Sequence, residues 1–180
     1  MSCVLAGALS GAHAEKADRD KPMNIEADKL VHDDPQQRSV FTGKVVATKG
    51  TLIFRGDRLE VWEDGQAHQF GLLTPAPGQR AFFRQKREGL NEFMEGEAER
   101  VEYDGLADRV TLIGRAVMRR YRGATLNDEM SGHLIVYDNI SERFTVDNAP
   151  AKGATAPAGA STNARVRAWL TPTPSGGAAK

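Results

Sequence analysis

An alternation of apolar and polar residues with a period of two constrains this chain more than any other feature. Leu52 and Phe54 alternate with Ile53 and Arg55, and the same spacing resumes at Leu59. A period of two is the pattern of a β-strand that buries one face. Helical spacing never persists long enough along the sequence to suggest a long helix. The chain is therefore predicted to be all-β and built from short antiparallel strands.

Clusters of Asp, Gly and Asn separate the apolar runs, as at 63–66, 103–109 and 137–143. Such clusters between strand formers are typical of hairpin turns. Hairpins with a polar lead-in, an apolar-x-apolar strand, an acidic turn and a second apolar-x-apolar strand recur at 27–43, 56–71, 98–114 and 131–146. Their spacing of about 30 to 40 residues lies in the range of repeat architectures. We expect an open β-jelly roll, or elongated β-sandwich, of stacked antiparallel hairpins whose inner face is apolar.

The first fourteen residues form a short apolar run that ends in Ala12-His13-Ala14, the small-x-small pattern of a signal-peptidase site. We predict a cleaved signal peptide over 1–14 and export of the chain, although no Lys or Arg precedes the apolar run. Cleavage would remove Cys3, the one cysteine, and with it any thiol, disulfide or Cys-ligated metal. No later segment approaches the ~20 apolar residues of a membrane helix.

The remaining sequence divides by composition. We predict a flexible N-terminus at 15–22, the jelly roll at 23–147, a flexible linker at 148–163 rich in Ala, Gly, Pro and Thr, a terminal edge strand at 164–172 and a disordered tail at 173–180. Lys plus Arg equals Asp plus Glu, at 24 each, so net charge implies neither nucleic acid nor an acidic partner. No acid follows Asp147, so a basic tail extends from an acidic body.

Side chains with catalytic or metal-binding chemistry are scattered. His13, His32, His68 and His133 are far apart and lack the spacing of metal ligands. Ser131, in the sequence EMSGHL, lacks the first glycine of a nucleophile elbow. We therefore predict that the protein is not an enzyme and needs no metal or other cofactor.

Paired charges are also explained without catalysis. The acid pairs at 33–34 and 95–97 lie in predicted turns or at strand starts, where solvated carboxylates are common, and nothing fixes the separation that a glycosidase would need. The basic runs at 84–87 and 119–123 suit contacts with phosphate, although such runs more often form a face that is simply exposed to solvent.

Three segments resemble the LptA/OstA family of periplasmic lipopolysaccharide-transport proteins of Gram-negative bacteria. They are IEADKL at 25–30, FTGKVVATKGTLIFRGDRLEV at 41–61 and VTLIGRAVMRR at 110–120. The strongest element is F-T-G-x-V, followed by a K-G turn and a G-D-x-L-x-V strand. The likeness covers about residues 23–146, and ARVRAWLTP at 164–172 is similar to the last strand of the family.

The resemblance implies an open jelly roll in the periplasm that shields the acyl chains of lipopolysaccharide. It also implies head-to-tail homo-oligomers, with an LptC-like inner-membrane partner at one end and an LptD-like outer-membrane partner at the other. The linker at 148–163 is an insertion relative to the family pattern.

Strand parity identifies the residues expected to line an apolar trough for lipid. Phe82 is included because it matches a family position expected to face inward. The predicted trough consists of Met23, Ile25, Ala27, Phe41, Val45, Leu52, Phe54, Leu59, Val61, Phe82, Val101, Tyr103, Leu134, Val136, Phe144 and Val146. Each of these residues is equally compatible with an ordinary β-sandwich core.

The two ends of an unclosed stack carry strands with free backbone groups, which invite pairing with another subunit. The predicted edge strands contain Met23, Asn24, Ile25, Glu26 and Ala27 at one end, and Val166, Arg167, Ala168, Trp169 and Leu170 at the other. Two alternatives to lipid transport stay open, a carbohydrate-binding β-sandwich and a purely structural periplasmic protein with a dry interior. Only Trp62 and Trp169 are available for an aromatic sugar platform.

Overall fold

A computed structural model describes residue 18 and residues 21–87, 91–148 and 165–171. The predicted signal peptide and tail, most of the predicted N-terminus and all of the linker except residue 148 lie outside these residues. The described residues form twelve β-strands, and the all-β prediction is confirmed. The strands are β1 Met23–Glu26, β2 Lys29–Asp33, β3 Arg38–Lys49, β4 Leu52–Glu63, β5 Gln69–Thr74, β6 Ala81–Lys86, β7 Glu92–Ala98, β8 Arg100–Asp104, β9 Arg109–Arg122, β10 Thr125–Asp138, β11 Arg143–Asp147 and β12 Arg167–Leu170.

Four long strands, β3, β4, β9 and β10, each run through two layers. One half of each strand belongs to a first layer with the order β1-β3-β4-β6-β7-β9-β10-β12. The other half belongs to a second layer with the order β2-β3-β4-β5-β8-β9-β10-β11. All described pairings are antiparallel, and the result is the expected jelly roll.

The long strands cross between layers along one side of the molecule, which we call the bend. Glycines lie at these crossings, at 43, 56, 114 and 132. Gly43 and Gly114 have φ of +83° and +78°, a region that side chains disfavour. Gly56 approaches its neighbours so closely that a Cβ there would lie 2.8 Å from a methyl carbon of Leu73. The opposite side of the molecule carries the hairpin turns of both layers, which we call the tips.

The inward faces of the two layers form one core. Its most deeply buried large side chains include Phe83, Met94 and Met118 from the first layer and Leu112 and Ile135 from the second. Along each strand, these buried residues alternate with exposed or half-buried neighbours, as a strand with one buried face requires. In the described part of the chain, no helix has the length and apolar character that crossing a membrane demands.

Candidate functional site

The candidate site is the interior between the layers. Most of the predicted trough residues are buried there or pack against the core, namely Met23, Ile25, Phe41, Val45, Leu52, Phe54, Leu59, Val61, Val101, Tyr103 and Val146. Phe144 pairs with the buried Tyr137 and shares its face, but it is 38% exposed because β11 is an edge strand. Whether any of these side chains contacts lipid stays a prediction.

Aromatic rings join the layers at the centre of this interior. The ring of Phe54 lies 5.7 Å from that of Phe83 within the first layer and 5.8 Å from that of Tyr103 in the second. Phe83 also reaches Tyr137 across the layers, at 6.4 Å. These tilted contacts are favourable aromatic geometries. The sequence reasoning missed Phe83 and Tyr137, although Tyr137 alternates with Ile135 on the same strand.

The prediction that Leu134 and Val136 face inward is wrong. Ile135 and Tyr137 are the buried residues of this half of β10, whereas Leu134 and Val136 are half-buried on the opposite face. The register of β10 against β9 shifts just before Leu134. A bulge exchanges the two faces of a strand, so the parity that buries Met130 before the bulge does not continue beyond it.

The inward predictions for Phe82 and Ala27 are also wrong. Phe83 fills the core, so strict alternation turns Phe82 to the outer face, where the Arg55 guanidinium lies 5.3 Å from its ring centre. Two adjacent phenylalanines give no parity signal of their own. Ala27 is exposed because β1 ends at Glu26 and the chain turns there toward β2.

The interior is well filled along its apolar length. A cavity of about 10 Å³ lies near the N-terminal end, lined by Met23, Phe54 and Leu73 among others. This volume is no larger than the space that one water molecule needs. An acyl chain does not fit this apolar cavity unless the side chains around it move. A larger, polar space of about 510 Å³ lies next to it at the tips, lined by Lys49, Gln69 and Tyr103 among others.

Polar groups replace the apolar lining toward the tips. Buried polar residues there include Lys49, Gln85, Glu92 and Asp128. Asp128 forms an ion pair with Arg120, its cross-strand neighbour. Lys49 Nζ lies 3.4 Å from Gln69 Oε1 and so joins the tips of the two layers. The apolar part of the interior is thus bounded by paired charges on the tip side.

Glu92 is the centre of the largest charge cluster at the tips. Its carboxylate accepts hydrogen bonds from Arg87 Nη1 at 2.7 Å and from Arg122 Nη2 at 2.8 Å. Arg87 also forms an ion pair with Glu142, in the β10–β11 turn of the second layer. Burial raises the pKa of Glu92, but the hydrogen bond from Arg122 and the positive charges of Arg87 and Arg120 outweigh it and hold the pKa below its usual value.

Each layer ends in strands that pair on one side only. At the N-terminal end, β1 and β2 pair only with β3, and at the C-terminal end β11 and β12 pair only with β10. β1 contains four of the five predicted N-terminal edge residues, and all four residues of β12 are exposed. Trp169 and Leu170 are 58% and 62% exposed. The apolar interior therefore extends between two ends whose edge strands have free backbone groups.

The remaining candidate side chains lie in separate local contacts. His32 bonds to Ser39 Oγ, and His68 bonds to Asp64, whose pKa is held low chiefly by the hydrogen bond that the His68 backbone donates. Trp62 stacks on Phe70 at 5.9 Å. In the ranges that the structure describes, no three His, Cys, Asp or Glu residues are grouped as metal ligands.

Comparisons with known proteins agree with this geometry. Residues 24–143 match the family model described as LptA/(LptD N-terminal domain) LPS transport protein. The lipopolysaccharide export system protein LptA of Escherichia coli K12 is 28% identical over 141 residues, which cover 76% of this chain and 72% of that protein. The lipopolysaccharide export system protein LptH of Pseudomonas aeruginosa is 27% identical over 148 residues, which cover 82% of this chain and 81% of that protein.

A solved structure extends the comparison to the fold. The crystal structure of LptH, described as the LptA homologous periplasmic component of the lipopolysaccharide transport device of Pseudomonas aeruginosa, superposes with a TM-score of 0.72 at 22% identity. The match covers 87% of this chain and 99% of that one. The family model spans well over half of the sequence, and the fold agrees. The chain belongs to the LptA/(LptD N-terminal domain) family of LPS transport proteins.

Proposed function

We propose that this protein carries lipopolysaccharide through the periplasm, with the acyl chains held between the two layers, and that it does no catalysis. The observation that carries the proposal is the apolar interior that extends between two unpaired ends. Transport rather than chemistry is also what the names of the related proteins state.

The energy of shielding explains why a carrier needs such an interior. Exposing one acyl chain of about ten methylenes to water costs roughly 8 kcal/mol, at ~0.8 kcal/mol for each methylene. A continuous apolar lining removes this cost without specific polar contacts. Phe54 and Tyr103 supply part of the lining from strands that are paired on both sides there, so their backbone groups are already satisfied.

A purely structural role is the second candidate, because the interior is filled. Around the apolar cavity of about 10 Å³, the interior resembles the dry core of an ordinary sandwich. The two candidates differ in one respect that is directly measurable. A carrier must admit lipid between its layers in cells, whereas a structural protein must not.

Photo-crosslinking at inward and outward positions tests this difference. A photoreactive residue at Ile25 or Phe54, on the inner face, should form adducts with lipopolysaccharide in cells. The matched control is Phe82, an aromatic residue on the outer face of the same layer. If folded variants with inner-face crosslinkers form no more adducts than the Phe82 variant, the carrier role is wrong.

We further propose that copies of the chain join head to tail, and that an LptC-like inner-membrane partner and an LptD-like outer-membrane partner join its ends in the same way. The free edges of β1 and β12 support this proposal, because an exposed strand edge accepts a further strand. Two different ends that pair with each other form a heterologous contact, which propagates as a filament.

Proline substitution in β1 tests the joining. Ile25→Pro should impair self-association and partner binding, because proline removes a backbone donor from the edge strand. Ile25→Ala is the matched control, since it shortens the same side chain and keeps the donor. Analytical ultracentrifugation measures self-association of both variants. Equal association by the proline variant and the wild-type protein would contradict an N-terminal joint.

A further inference from the structure

A basic cleft lies on the outer side of the bend, away from the apolar interior. Its volume is about 400 Å³, and four of the residues that line it are arginines, Arg80, Arg115, Arg165 and Arg167. They come from three separate parts of the chain: the segment before β6, the bend of β9, and the start of β12 with the residues just before it. The alternation of a single strand does not explain why arginines from distant segments meet at one concavity.

The charges of this basic cleft are only partly balanced. Arg115 Nε lies 2.5 Å from Glu99, but Arg80 is 3.9 Å from Glu97. That same oxygen of Glu97 accepts a hydrogen bond from Arg119 at 3.0 Å. Counter-charge for Arg80 is therefore weak.

Arg165 and Arg167 have no ion-pair partner within the ranges that the structure describes. The connecting sequence at 149–164 contains Lys152 and no Asp or Glu, so it brings no carboxylate to them. Within the described residues, the basic cleft thus holds more positive charge than its two nearby carboxylates, Glu97 and Glu99, balance.

The floor of the basic cleft is fixed by close packing. A Cβ at Gly132 would lie 2.7 Å from Val146 Cγ1, so β11 approaches β10 at a point that only glycine permits. The backbone N–H of His133 donates to Asn148 Oδ1 at 3.0 Å, which holds the end of β11 against the bulge. Arg115 has φ of +43° and is exposed. The basic cleft is accordingly part of the bend itself.

We propose that this basic cleft binds a phosphate group. Arginine forks match the oxygens of a phosphate in bidentate geometry, and several forks around one concavity suit a doubly charged anion. Ser131 and His133 line the same space and supply further polar groups. The phosphate is either free or carried by a lipid headgroup, and the proposal holds whether or not the interior carries acyl chains.

An acidic strand from a second copy fits the basic cleft less well. A strand added to the free edge of β12 lies in the plane of the sheet, so its outward side chains reach Arg167 first. Arg115 belongs to β9, two strands farther in across β10, which is about 10 Å at ~4.8 Å for each strand spacing. A compact anion inside the basic cleft lies among residues of several strands, whereas an added edge strand meets the residues of β12 first.

Titration with inorganic phosphate tests the proposal. Amide NMR spectra of the folded protein should show saturable shifts at Ser131, Gly132 and His133. Arg165→Gln and Arg167→Gln should each weaken binding roughly tenfold, since a hydrogen bond to a charged group contributes about that factor or more. Arg143→Gln is the matched control, because Arg143 is exposed on β11, outside the basic cleft, and loses the same charge.

The outcomes separate the proposal from its rivals. Absence of saturation up to about 10 mM phosphate, or equal weakening by Arg143→Gln, would overturn it, because either result means nonspecific attraction. Arginine variants that change self-association but not the phosphate titration would also overturn it, in favour of an acidic strand of a second copy.

A second titration identifies the source of the phosphate. Intact lipopolysaccharide and lipopolysaccharide treated with phosphatase are compared on the wild-type protein and on Arg167→Gln. Loss of arginine-dependent binding after phosphatase treatment assigns a lipid-borne phosphate. Binding of inorganic phosphate with no arginine dependence toward either lipid assigns a free anion.

Discussion

Replacing Glu92 by Gln should destabilise the protein more than any exposed charge substitution. The change keeps the shape of the side chain but removes a buried charge that accepts hydrogen bonds from two arginines, at 2.7 Å from Arg87 and at 2.8 Å and 3.1 Å from Arg122. Removing one partner of a buried ion pair costs about 3–5 kcal/mol. In Glu92→Gln, Arg87 keeps its ion pair with Glu142, and the Arg122 side chain, which is 48% exposed, is hydrated instead. We therefore expect the free energy of unfolding to fall by about 2–3 kcal/mol.

Urea unfolding at two pH values measures this effect and its cause. The pKa of Glu92 is lowered in the folded state, so the charged carboxylate contributes stability above the unfolded pKa of about 4.5, and that contribution is lost as pH falls through the lower folded value. The difference in unfolding free energy between the wild-type protein and Glu92→Gln should therefore be full at pH 7. It should shrink steadily as the pH is lowered below about 4.5.

The matched control is Glu102→Gln, which removes a charge of the same kind from an exposed pair. Glu102 lies 3.1 Å from Arg100, and both side chains are more than two-fifths exposed, at 44% and 42%. Exposed pairs contribute about 0–1 kcal/mol. A Glu92→Gln effect no larger than that of Glu102→Gln, or one that does not change with pH, would refute the reasoning that the burial of Glu92 makes its charge important.

Four further substitutions test the packing of the two layers and the geometry of the bend by urea unfolding. Phe83→Ala should cost about 3–5 kcal/mol, because the ring is fully buried between the layers, and a loss below about 1.5 kcal/mol would contradict its central place. Gly96→Ala should cost about 1–3 kcal/mol, since the new Cβ would lie 2.6 Å from Leu112 Cδ1. Leu112→Val in the same chain should recover part of this loss, and no recovery would point to another cause. Gly43→Ala should cost about 1–2 kcal/mol because φ is +83°, and an unchanged midpoint would argue against that bend geometry.

Regular alternation made much of this fold predictable from sequence. Leu52 and Phe54 at one end of β4, and Leu59 and Val61 at the other, are apolar in the pattern that strands with one buried face produce, and all four lie in or against the core. The turn clusters likewise mark real hairpins, because Asp and Gly stabilise turns through their own local conformations and hydrogen bonds. These signals are local, so sequence carries them directly.

Features that depend on neighbouring strands were not predictable in the same way. Leu134 and Val136 alternate as regularly as any pair in the chain, yet a bulge that is defined only by pairing with β9 turns them outward. The inward position of Glu92 has no local signal either, because its arginine partners come from β9 and from the turn after β6. Which face a residue lies on, and which charge it pairs with, depend on the register between neighbouring strands. The pattern of a single strand does not contain that register.

The way in which the layers are joined limits how the interior can open. At the bend, four continuous strands connect the layers, and separating them there would break backbone pairing along each strand. At the tips, side-chain contacts such as Lys49–Gln69 and Arg87–Glu142 connect them, and parting these contacts leaves the backbone pairing of the strands intact. Because the apolar cavity near Met23 and Phe54 is only about 10 Å³, uptake of an acyl chain there requires the lining to widen. We expect widening that preserves the strands to begin at the tips and to hinge at the glycines of the bend.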